Sequence, residues 1–530
     1  PELRSTLLQP LRPAFDLKIS MLADQFDAAG TAAEREQAAL SALATSEQAR
    51  ARSLADFENL DVSAPGLDPS LAGQRRSLYR EIAARRLRLE AALDRSGTED
   101  ARTVAIRAEI ATLRRSLDQI DAQIGAASDA ALRRKPAPAR PHWQAAQLPA
   151  DVAVIEYWLG AEQAFAWVRR GSTLTMTRLG PSADIDADAL ALHSALRRFG
   201  AVRVQERLSA AQRLSDRVLG PIRQMIAPAR TLIFIADGAL HYVPFAALRV
   251  AERGSQSFLI ENHDVAVTPS MEMFMRPETP RAAAVAARRM LLVDDPVYAT
   301  DDPRFGRPAV VIAQTTSASQ VSSEPLRGLT DGPRLPRLPG TAQEAAAIAA
   351  LLPATDTDRL DGFDATRERF LSAPLQTYRF IHVASHANTD AEIPQASALI
   401  LSTVDRRGDM IDGRVLAADF MNVRLQADTV VLSACDTALG KSVAGEGLVG
   451  LRYVVLARGA RSVISSLWPV SDRITAGLMV HFYSVLLDAH SSVTAAWSAA
   501  TRATLAQPNA DPGTWGAFML TLKSIGEVAR

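Results

Sequence analysis

The sequence predicts two regions of different fold class, an all-α region followed by an α/β region. Residues 1–132 are rich in Ala, Leu, Arg and Glu and contain almost no runs of β-branched residues, which is typical of helices. From residue 150 onward, short apolar runs alternate with helical stretches, a pattern that indicates an α/β architecture with a largely parallel sheet. The runs are VAVIEYWL, AFAWVRR, TLIFIA, RMLLVDD, YRFIHVAS, DTVVLSA and RSVISSLW.

Apolar side chains recur at helical spacing within the first region. Steps of three and four residues place each series on one face of a helix. Between the two series, residues 96–98 supply a break and an N-cap, so we predict an antiparallel helical hairpin. Residues 11–60 indicate a second helix pair, and we expect this region to pack rather than to catalyse. The two series are Leu78, Ile82, Leu89, Leu93 and Ile106, Ile110, Leu113, Leu117, Ile120, Ile124.

Composition marks the connections between these regions. Residues 133–149 are rich in Pro and Arg and read as a linker between the helical domain, residues 1–132, and the α/β region. Residues 300–337 are rich in Pro, Ser, Thr and Arg, and we expect them to form a long mobile loop.

The bulk properties exclude several classes of function. The 530 residues include 59 Lys and Arg and 59 Asp and Glu, so net charge gives no reason to expect nucleic acid or an anionic membrane as a partner. No apolar run reaches the roughly 20 residues that span a bilayer. One cysteine cannot form an intramolecular disulfide, which favours a reducing, cytoplasmic compartment. The chain begins at Pro1 with no signal peptide after it, so we expect a fragment or a processed chain.

Two strand-like runs end in residues that can carry chemistry. YRFIHVAS runs into His386 and DTVVLSA runs into Cys435. The carboxyl ends of neighbouring parallel strands meet at one edge of the sheet, where such folds place their active sites. A thiolate needs a base and an electropositive neighbour to attack a peptide carbonyl at neutral pH, and a histidine supplies both. The 49 residues that separate the pair match the His-to-Cys spacing of caspases.

Other roles for these residues have to be weighed. A free cysteine after an apolar run is commonly a small buried hydrophobe, and the histidine partner is what favours a nucleophile. A redox sensor is disfavoured because the chain has no resolving cysteine. His382 lies inside the strand on the same face as His386, and we expect it to be structural. Neither a GxxxxGK[ST] phosphate loop nor a Cys/His cluster at zinc spacing is found, so we expect no cofactor and no metal.

The sequence motifs around the cysteine resemble those of the CHAT family. LSACDTALG at 432–440, GEGLVGL at 445–451 and GARSVISSLWPVSD at 459–472 carry the likeness. VIEYWLGAEQAFAWV, FIADGALHYVPFAAL, LPGTAQEAAAIAALLP and GTWGAFML extend it over roughly residues 146–530 in consistent order. CHAT proteins are caspase-like (clan CD) cysteine proteases related to separase and often fused to tetratricopeptide-type helices, which the N-terminal helices resemble.

The resemblance implies a layout and catalytic roles. It implies an inactive caspase-like half, residues 150–285, that contains a structural His241, and an active half, residues 286–530. The catalytic base corresponds to His386 and the nucleophile to Cys435. The family usually has Gly after the histidine, where this chain has Ala387. The backbone N–H groups of Ala387 and Cys435 would hold the oxyanion, provided that the backbone at Ala387 needs no positive φ.

Two acidic residues are candidates for the substrate pocket. By analogy with separase, Asp472 would receive a basic P1 side chain, but it also precedes a helical run that Ser471 or Asp472 could cap. Asp436, next to the nucleophile, either lines the pocket or faces away.

The resemblance also implies a function and partners. We expect an endopeptidase that cleaves one dedicated protein, such as a gasdermin-like or CRISPR-associated partner, in bacterial antiviral defence or regulated proteolysis. The N-terminal helices would bind an activating protein. The alternative is a catalytically weak scaffold, which the alanine after the histidine favours.

Overall fold

The fold is known from a computed structural model. The structure describes only the backbone of residues 51–58, 69, 90, 91, 94–96, 125–132, 145, 251, 252, 255, 434, 435, 446–450 and 472–474. The predicted loop 300–337 lies mostly outside the described residues, which are 12–58, 69–96, 100–132, 141–198, 204–252, 255–277, 289–306, 335–388, 394–421, 423–435, 446–468, 472–488, 491–508 and 510–528.

Helices make up the first part of the chain, and shorter helices flank the strands in the rest. None of the described helices combines the length and apolarity needed to cross a bilayer. The α-helices are α1 Arg12–Ala28, α2 Ala32–Glu58, α3 Pro69–Ser96, α4 Ala101–Leu132, α5 His142–Ala145, α6 Ser182–Arg197, α7 Val204–Val218, α8 Arg223–Ile226, α9 Leu259–Asn262, α10 Met271–Met275, α11 Pro339–Ala349, α12 Arg367–Ser372, α13 Ala417–Phe420, α14 Glu446–Ala457, α15 Asp472–Leu486, α16 Val493–Leu505 and α17 Pro512–Trp515.

The predicted helical pairs are present at the N-terminus. Helix α1 packs against α2 and α3 packs against α4. The apolar stripes face inward, with Ile82, Ile106 and Leu117 buried. The break and N-cap are predicted at residues 96–98, of which residue 96 ends α3 while 97 and 98 lie outside the described part. Asp100 accepts a hydrogen bond from the Thr103 N–H at 2.8 Å and so caps α4. Kinship with tetratricopeptide repeats stays a prediction.

One mixed sheet holds thirteen strands. Their order is β12-β11-β10-β13-β14-β15-β7-β4-β1-β2-β3, with β8 paired to β10 and to β9, while β5 and β6 form a separate hairpin. The strands are β1 Val152–Leu159, β2 Gln163–Arg170, β3 Thr173–Pro181, β4 Thr231–Ile235, β5 Arg249–Glu252, β6 Ser255–Phe258, β7 Asp264–Val267, β8 Met290–Asp294, β9 Thr357–Asp361, β10 Phe380–Asn388, β11 Ala398–Ile400, β12 Arg414–Leu416, β13 Thr429–Cys435, β14 Ser462–Ser466 and β15 Phe518–Leu522.

The sheet is parallel only in its central blocks. β9, β8, β10, β13 and β14 run parallel, as do β15, β7, β4 and β1. β1, β2 and β3 pair antiparallel, as do β10, β11 and β12, and the blocks join where β14 meets β15 antiparallel. Tight connections such as the one between β1 and β2 permit only antiparallel pairing, so the expectation of a largely parallel sheet is correct only for these blocks.

The runs predicted as strands all occur as strands. β1 to β7 fall within residues 150–285 and β8 to β15 within residues 286–530. The two predicted halves share one continuous sheet, because Thr521 of β15 pairs with Val267 of β7. The domain boundaries themselves stay predictions.

Helix α2 is fixed to the α/β region by buried charges. Glu156 of β1 accepts hydrogen bonds from the Ser46 hydroxyl at 2.6 Å and from Arg50 Nε at 3.2 Å. Arg50 also donates to the carbonyl of Ala236 at 2.7 Å. Burial raises the pKa of Glu156, and the Arg50 guanidinium opposes that shift. The guanidinium is therefore the main group that favours the ionised form of this buried carboxyl.

We expect Arg50→Ala to lower the free energy of unfolding by roughly 3–5 kcal/mol, because it leaves a buried carboxylate without its counter-charge. Urea unfolding followed by tryptophan fluorescence measures the loss. Arg178 pairs with the exposed Asp24 and Asp27, so Arg178→Ala is the matched control and should cost about 0–1 kcal/mol. Equal losses in the two variants would contradict this role for Arg50.

Candidate active site

The predicted nucleophile and base lie side by side on neighbouring parallel strands. In the ladder between β10 and β13, the backbone partner of His386 is Cys435. Adjacent strands lie about 4.8 Å apart, so side chains on one face at this register are within reach of each other. The side chain of Cys435 is outside the described part of the chain, and its chemical role stays a prediction.

A backbone carbonyl determines which ring nitrogen of His386 carries the proton. His386 is 1% exposed, and its Nε2 lies 2.8 Å from the carbonyl oxygen of Pro336. A carbonyl oxygen can only accept a hydrogen bond, so Nε2 must be protonated. In the neutral imidazole, Nδ1 is then the nitrogen that can accept a proton. The ring is thereby prepared to act as a base through Nδ1.

Tyr298 bonds the backbone of this histidine and that of the neighbouring strand β11. Its hydroxyl accepts a hydrogen bond from the His386 N–H at 3.2 Å and donates one to the carbonyl of Ile400 at 3.2 Å. Its ring lies against the imidazole, with centroids 4.9 Å apart. Tyr298 therefore ties β10 to β11 at the residue where β10 carries the candidate base.

His382 and His241 occupy structural environments. His382 is fully buried; its Nε2 lies 2.9 Å from Glu344 Oε1 and its Nδ1 lies 3.3 Å from the Tyr483 hydroxyl. Burial lowers the pKa of His241 to about 4, so this imidazole is neutral at physiological pH. Both environments agree with the structural roles expected from the sequence.

The alanine that replaces the family's glycine is accommodated without strain. Ala387 lies within β10 and pairs with Leu399 of β11. Among the described non-glycine residues, only Asp295 has a positive φ. The backbone at Ala387 is thus one that any residue adopts, and the proviso attached to an oxyanion role for its N–H is met.

The structure does not bring the two acidic candidates into a described contact with His386. Asp472 is the first residue of α15, which follows β14, the strand next to β13. Its side chain and all of Asp436 lie outside the described residues. The roles of Asp472 as a P1 receptor or a helix cap, and of Asp436, stay predictions.

Sequence reasoning missed the residues that surround the imidazole. Pro336 acts through its main-chain oxygen, which every residue type possesses, so no sequence signal could have identified it. Tyr298 is an aromatic residue in an irregular segment after β8, and only its contacts distinguish it. No group of three or more His, Cys, Asp or Glu suited to a metal ion occurs in the ranges that the structure describes.

We expect the neutral His386 ring to be the Nε2–H tautomer in solution. Long-range ¹H–¹⁵N correlation spectra at pH 8 measure it, with the signal assigned through a His386→Asn variant. His263 is an internal control of opposite sign, because its Nδ1 lies 2.7 Å from the carbonyl of Ala229 and must carry the proton. An Nδ1–H tautomer at His386 would contradict the contact with Pro336.

Comparison with known proteins places the chain in a family. The model of the CHAT domain matches residues 208–523, more than half of the chain. Tetratricopeptide repeat protein 28 from Homo sapiens is 26% identical over 325 residues, and the protein of that name from Mus musculus is 27% identical over 320 residues. Each alignment covers 55% of this chain but only 12% of the relative. The chain therefore spans a small part of these relatives.

Two solved structures of the Saccharomyces cerevisiae separase–securin complex show a distant likeness. Their TM-scores are 0.38 and 0.41, at 9% and 8% identity. The matches cover 71% and 91% of this chain and 30% and 37% of the solved chains.

The matched region contains strands β4 to β15 and both candidate catalytic residues. The predicted fold class, a caspase-like α/β region preceded by helices, is confirmed. The chain belongs to the CHAT domain family, a family of caspase-like proteases.

Proposed function

We propose that the chain is a cysteine endopeptidase in which Cys435 is the nucleophile and His386 the general base. The observation that carries the proposal is the hydrogen bond from His386 Nε2 to the Pro336 carbonyl, made by a histidine whose backbone partner is the cysteine. A protonated Nε2 leaves Nδ1 to take the proton of a thiol. This is the arrangement that an activated nucleophile requires.

The proposed reaction follows from these groups. Nδ1 of His386 accepts the thiol proton, and the sulfur of Cys435 attacks the scissile carbonyl. The N–H groups of Ala387 and Cys435 hold the oxyanion of the tetrahedral intermediate. The imidazolium then protonates the leaving amine, and a thioester remains on the sulfur. Water deprotonated by the imidazole hydrolyses the thioester and regenerates the thiol.

The Pro336 carbonyl would contribute to catalysis as well as to orientation. When His386 becomes an imidazolium, the carbonyl dipole faces the developing positive charge across 2.8 Å in a buried site. A hydrogen bond to an ionised donor is about twice as strong as a neutral one. The contact therefore favours proton transfer from the thiol to the ring.

For the substrate, we propose one dedicated protein cleaved after a basic residue. The support is the position of Asp472, six residues beyond the end of β14, because β14 is parallel to β13 and ends at the same edge as Cys435. A gasdermin-like or CRISPR-associated protein in a bacterial defence system is the narrower proposal, with an activator bound by the N-terminal helices in a cytoplasmic setting. The family resemblance alone supports that part.

A catalytically weak scaffold is the second candidate, and its support is the alanine after His386. The unstrained backbone at Ala387 weakens that support. Cleavage of a peptide or of a neighbouring gene product would exclude the scaffold.

Cys435→Ala should abolish cleavage, and His386→Asn should lower kcat by roughly 10²- to 10⁴-fold, because the thiol loses its base. The assay uses fluorogenic peptides with Arg, Lys, Asp or Met at P1, together with the products of neighbouring genes. His481→Asn, at an exposed histidine of α15, is the matched control and should leave kcat unchanged. Full cleavage by the Cys435 variant would refute the proposal.

The reactivity of the Cys435 thiol can be measured even if cleavage requires an activating protein. Because the chain has one cysteine, iodoacetamide uptake measured by intact mass reports Cys435 alone. We expect its pKa to lie below the ordinary value of about 8.5 in the wild type and to return towards it in His386→Asn. An ordinary thiol pKa that does not change with His386 would support the scaffold.

Asp472→Asn should lower kcat/KM for Arg and Lys peptides by roughly 10²- to 10³-fold, because a buried cation would lose its counter-charge. Peptides with neutral P1 residues should be unaffected. If Asp472 only caps α15, the variant would instead lose about 0.5–2 kcal/mol of stability with no change in preference. Asp488→Asn, just beyond the end of the same helix, is the control.

A further inference from the structure

The segment that carries Pro336 is bound to the end of strand β8. Arg337, the next residue, donates from Nε to Asp295 Oδ1 at 2.9 Å and from Nη2 to Oδ2 at 2.6 Å. Two parallel hydrogen bonds between a guanidinium and a carboxylate restrict direction as well as distance. Asp295 directly follows β8 and is 5% exposed, so the carboxylate that holds Arg337 has a fixed position.

The backbone at Asp295 adopts a conformation that few residues tolerate. Its φ is 44°, in the left-handed region where Asp and Asn are enriched. Its N–H donates to the Thr341 hydroxyl at 2.9 Å, and its carbonyl accepts from Arg304 Nη1 at 2.7 Å. Backbone and side chain are therefore both engaged, and such over-determined strained positions cluster at functional sites.

We propose that Asp295 and Arg337 are positioning residues, whose ion pair aims the Pro336 carbonyl at His386 and so sets the tautomer of the base. The Pro336 carbonyl and the Arg337 N–H belong to one planar peptide unit, so holding Arg337 restricts the direction of that carbonyl. This inference rests on the proposed cysteine protease function.

The arrangement closes a ring of contacts around the imidazole. β8 pairs with β10 through Phe380–Val383, the strand that carries His386. From the end of β8 the connection runs through Asp295 to Arg337, then through the Pro336 carbonyl back to the ring. Each link is short and at least partly buried, so a displacement of Arg337 is transmitted to Nε2.

Helix α11 holds the same segment from its other side. The Thr341 hydroxyl that accepts from Asp295 donates to the carbonyl of Leu338 at 2.7 Å. Glu344, one turn further on, lies 2.9 Å from His382 on β10. The segment 336–338 is thus fixed between β8 and the start of α11.

A neighbouring ion pair supplies the matched control. Arg359 donates to Asp294 with Nε–Oδ1 and Nη2–Oδ2 distances of 2.7 Å, and Asp294 is fully buried. The pair resembles Asp295–Arg337 in geometry and is one residue away, but it joins β8 to β9. Substitution there tests the effect of losing a bidentate pair without moving Pro336.

The experiment compares Arg337→Gln, Asp295→Asn and Arg337→Lys with Arg359→Gln in the full chain. The pH dependence of Cys435 alkylation by iodoacetamide reports the thiolate. We expect Arg337→Gln and Asp295→Asn to raise the thiol pKa by about one unit, which slows alkylation roughly tenfold below that pKa. Asn keeps the shape of Asp295 and tolerates its φ, so this variant removes the carboxylate charge that faces Arg337 and Arg304 without straining the backbone. Arg337→Lys should recover part of the loss, since it keeps the charge without the bidentate geometry.

The outcomes separate this inference from the proposed function. If alkylation depends on His386 but Arg337→Gln behaves like Arg359→Gln, the positioning role is overturned and the protease proposal stands. If alkylation does not depend on His386, the protease proposal fails. In that case the tautomer of His386 tests the positioning role independently of the thiol. ¹⁵N spectra of Arg337→Gln should show a mixture of both tautomers at His386, and an unchanged Nε2–H form would overturn the positioning role.

Discussion

The parallel ladder between β10 and β13 is the interaction on which the candidate site depends. Every pair in it joins residues 49 positions apart, from Phe380 with Thr429 to His386 with Cys435. Both faces of β10 are buried, so the apolar pattern alone does not specify the register. Polar contacts at the start of the strands specify the register instead. The Asp428 N–H donates to the carbonyl of Arg379 at 2.7 Å, and the two side chains form an ion pair. The 49-residue spacing between His386 and Cys435 therefore equals the register offset of the two strands, which is fixed at Arg379 and Asp428, seven residues before the pair.

The strands and the convergence of His386 with Cys435 could be predicted because they depend on side-chain type. Apolar runs show strands, and reactive residues at the ends of parallel strands must meet. The Pro336 carbonyl could not be predicted, since main-chain oxygens carry no sequence signature and 50 residues separate it from the imidazole. The positive φ of Asp295 could not be predicted either, because aspartate at a strand end is also common in ordinary turns. The antiparallel parts of the sheet were not predicted, because the direction of pairing depends on the length of the connections. The apolar patterns that predict strands carry no information about it.

The helices at the N-terminus are attached at two places with different chemistry. Helix α2 contributes charged groups to the carboxyl ends of β1 and β4, where Arg50 bonds Glu156 and the carbonyl of Ala236. The hairpin of α3 and α4 packs through apolar side chains instead, and Tyr79, Ile82 and Leu117 share a buried cluster with Tyr298. Arg80 of the hairpin also pairs with Asp419 at 3.0 Å. Apolar burial therefore holds both pairs, since Ile19, Ala42 and Leu43 of the first pair lie in the main core, and buried charged groups add to it in the first pair.

The buried cluster that Tyr298 shares with the α3–α4 hairpin limits where the chain can be cut into stable fragments. Tyr298 contacts the imidazole of His386 on one side and the hairpin cluster on the other. A protein cut at the composition boundary near residue 140 would leave the apolar surroundings of Tyr298 in water, at a cost of roughly 25 cal/mol for each Å² uncovered. Tyr298, which contacts the candidate base, would then lie at a solvent-exposed surface instead of in a packed interior. The helices of the hairpin consequently belong to the same folding unit as the strands around His386, and a stable fragment has to include them.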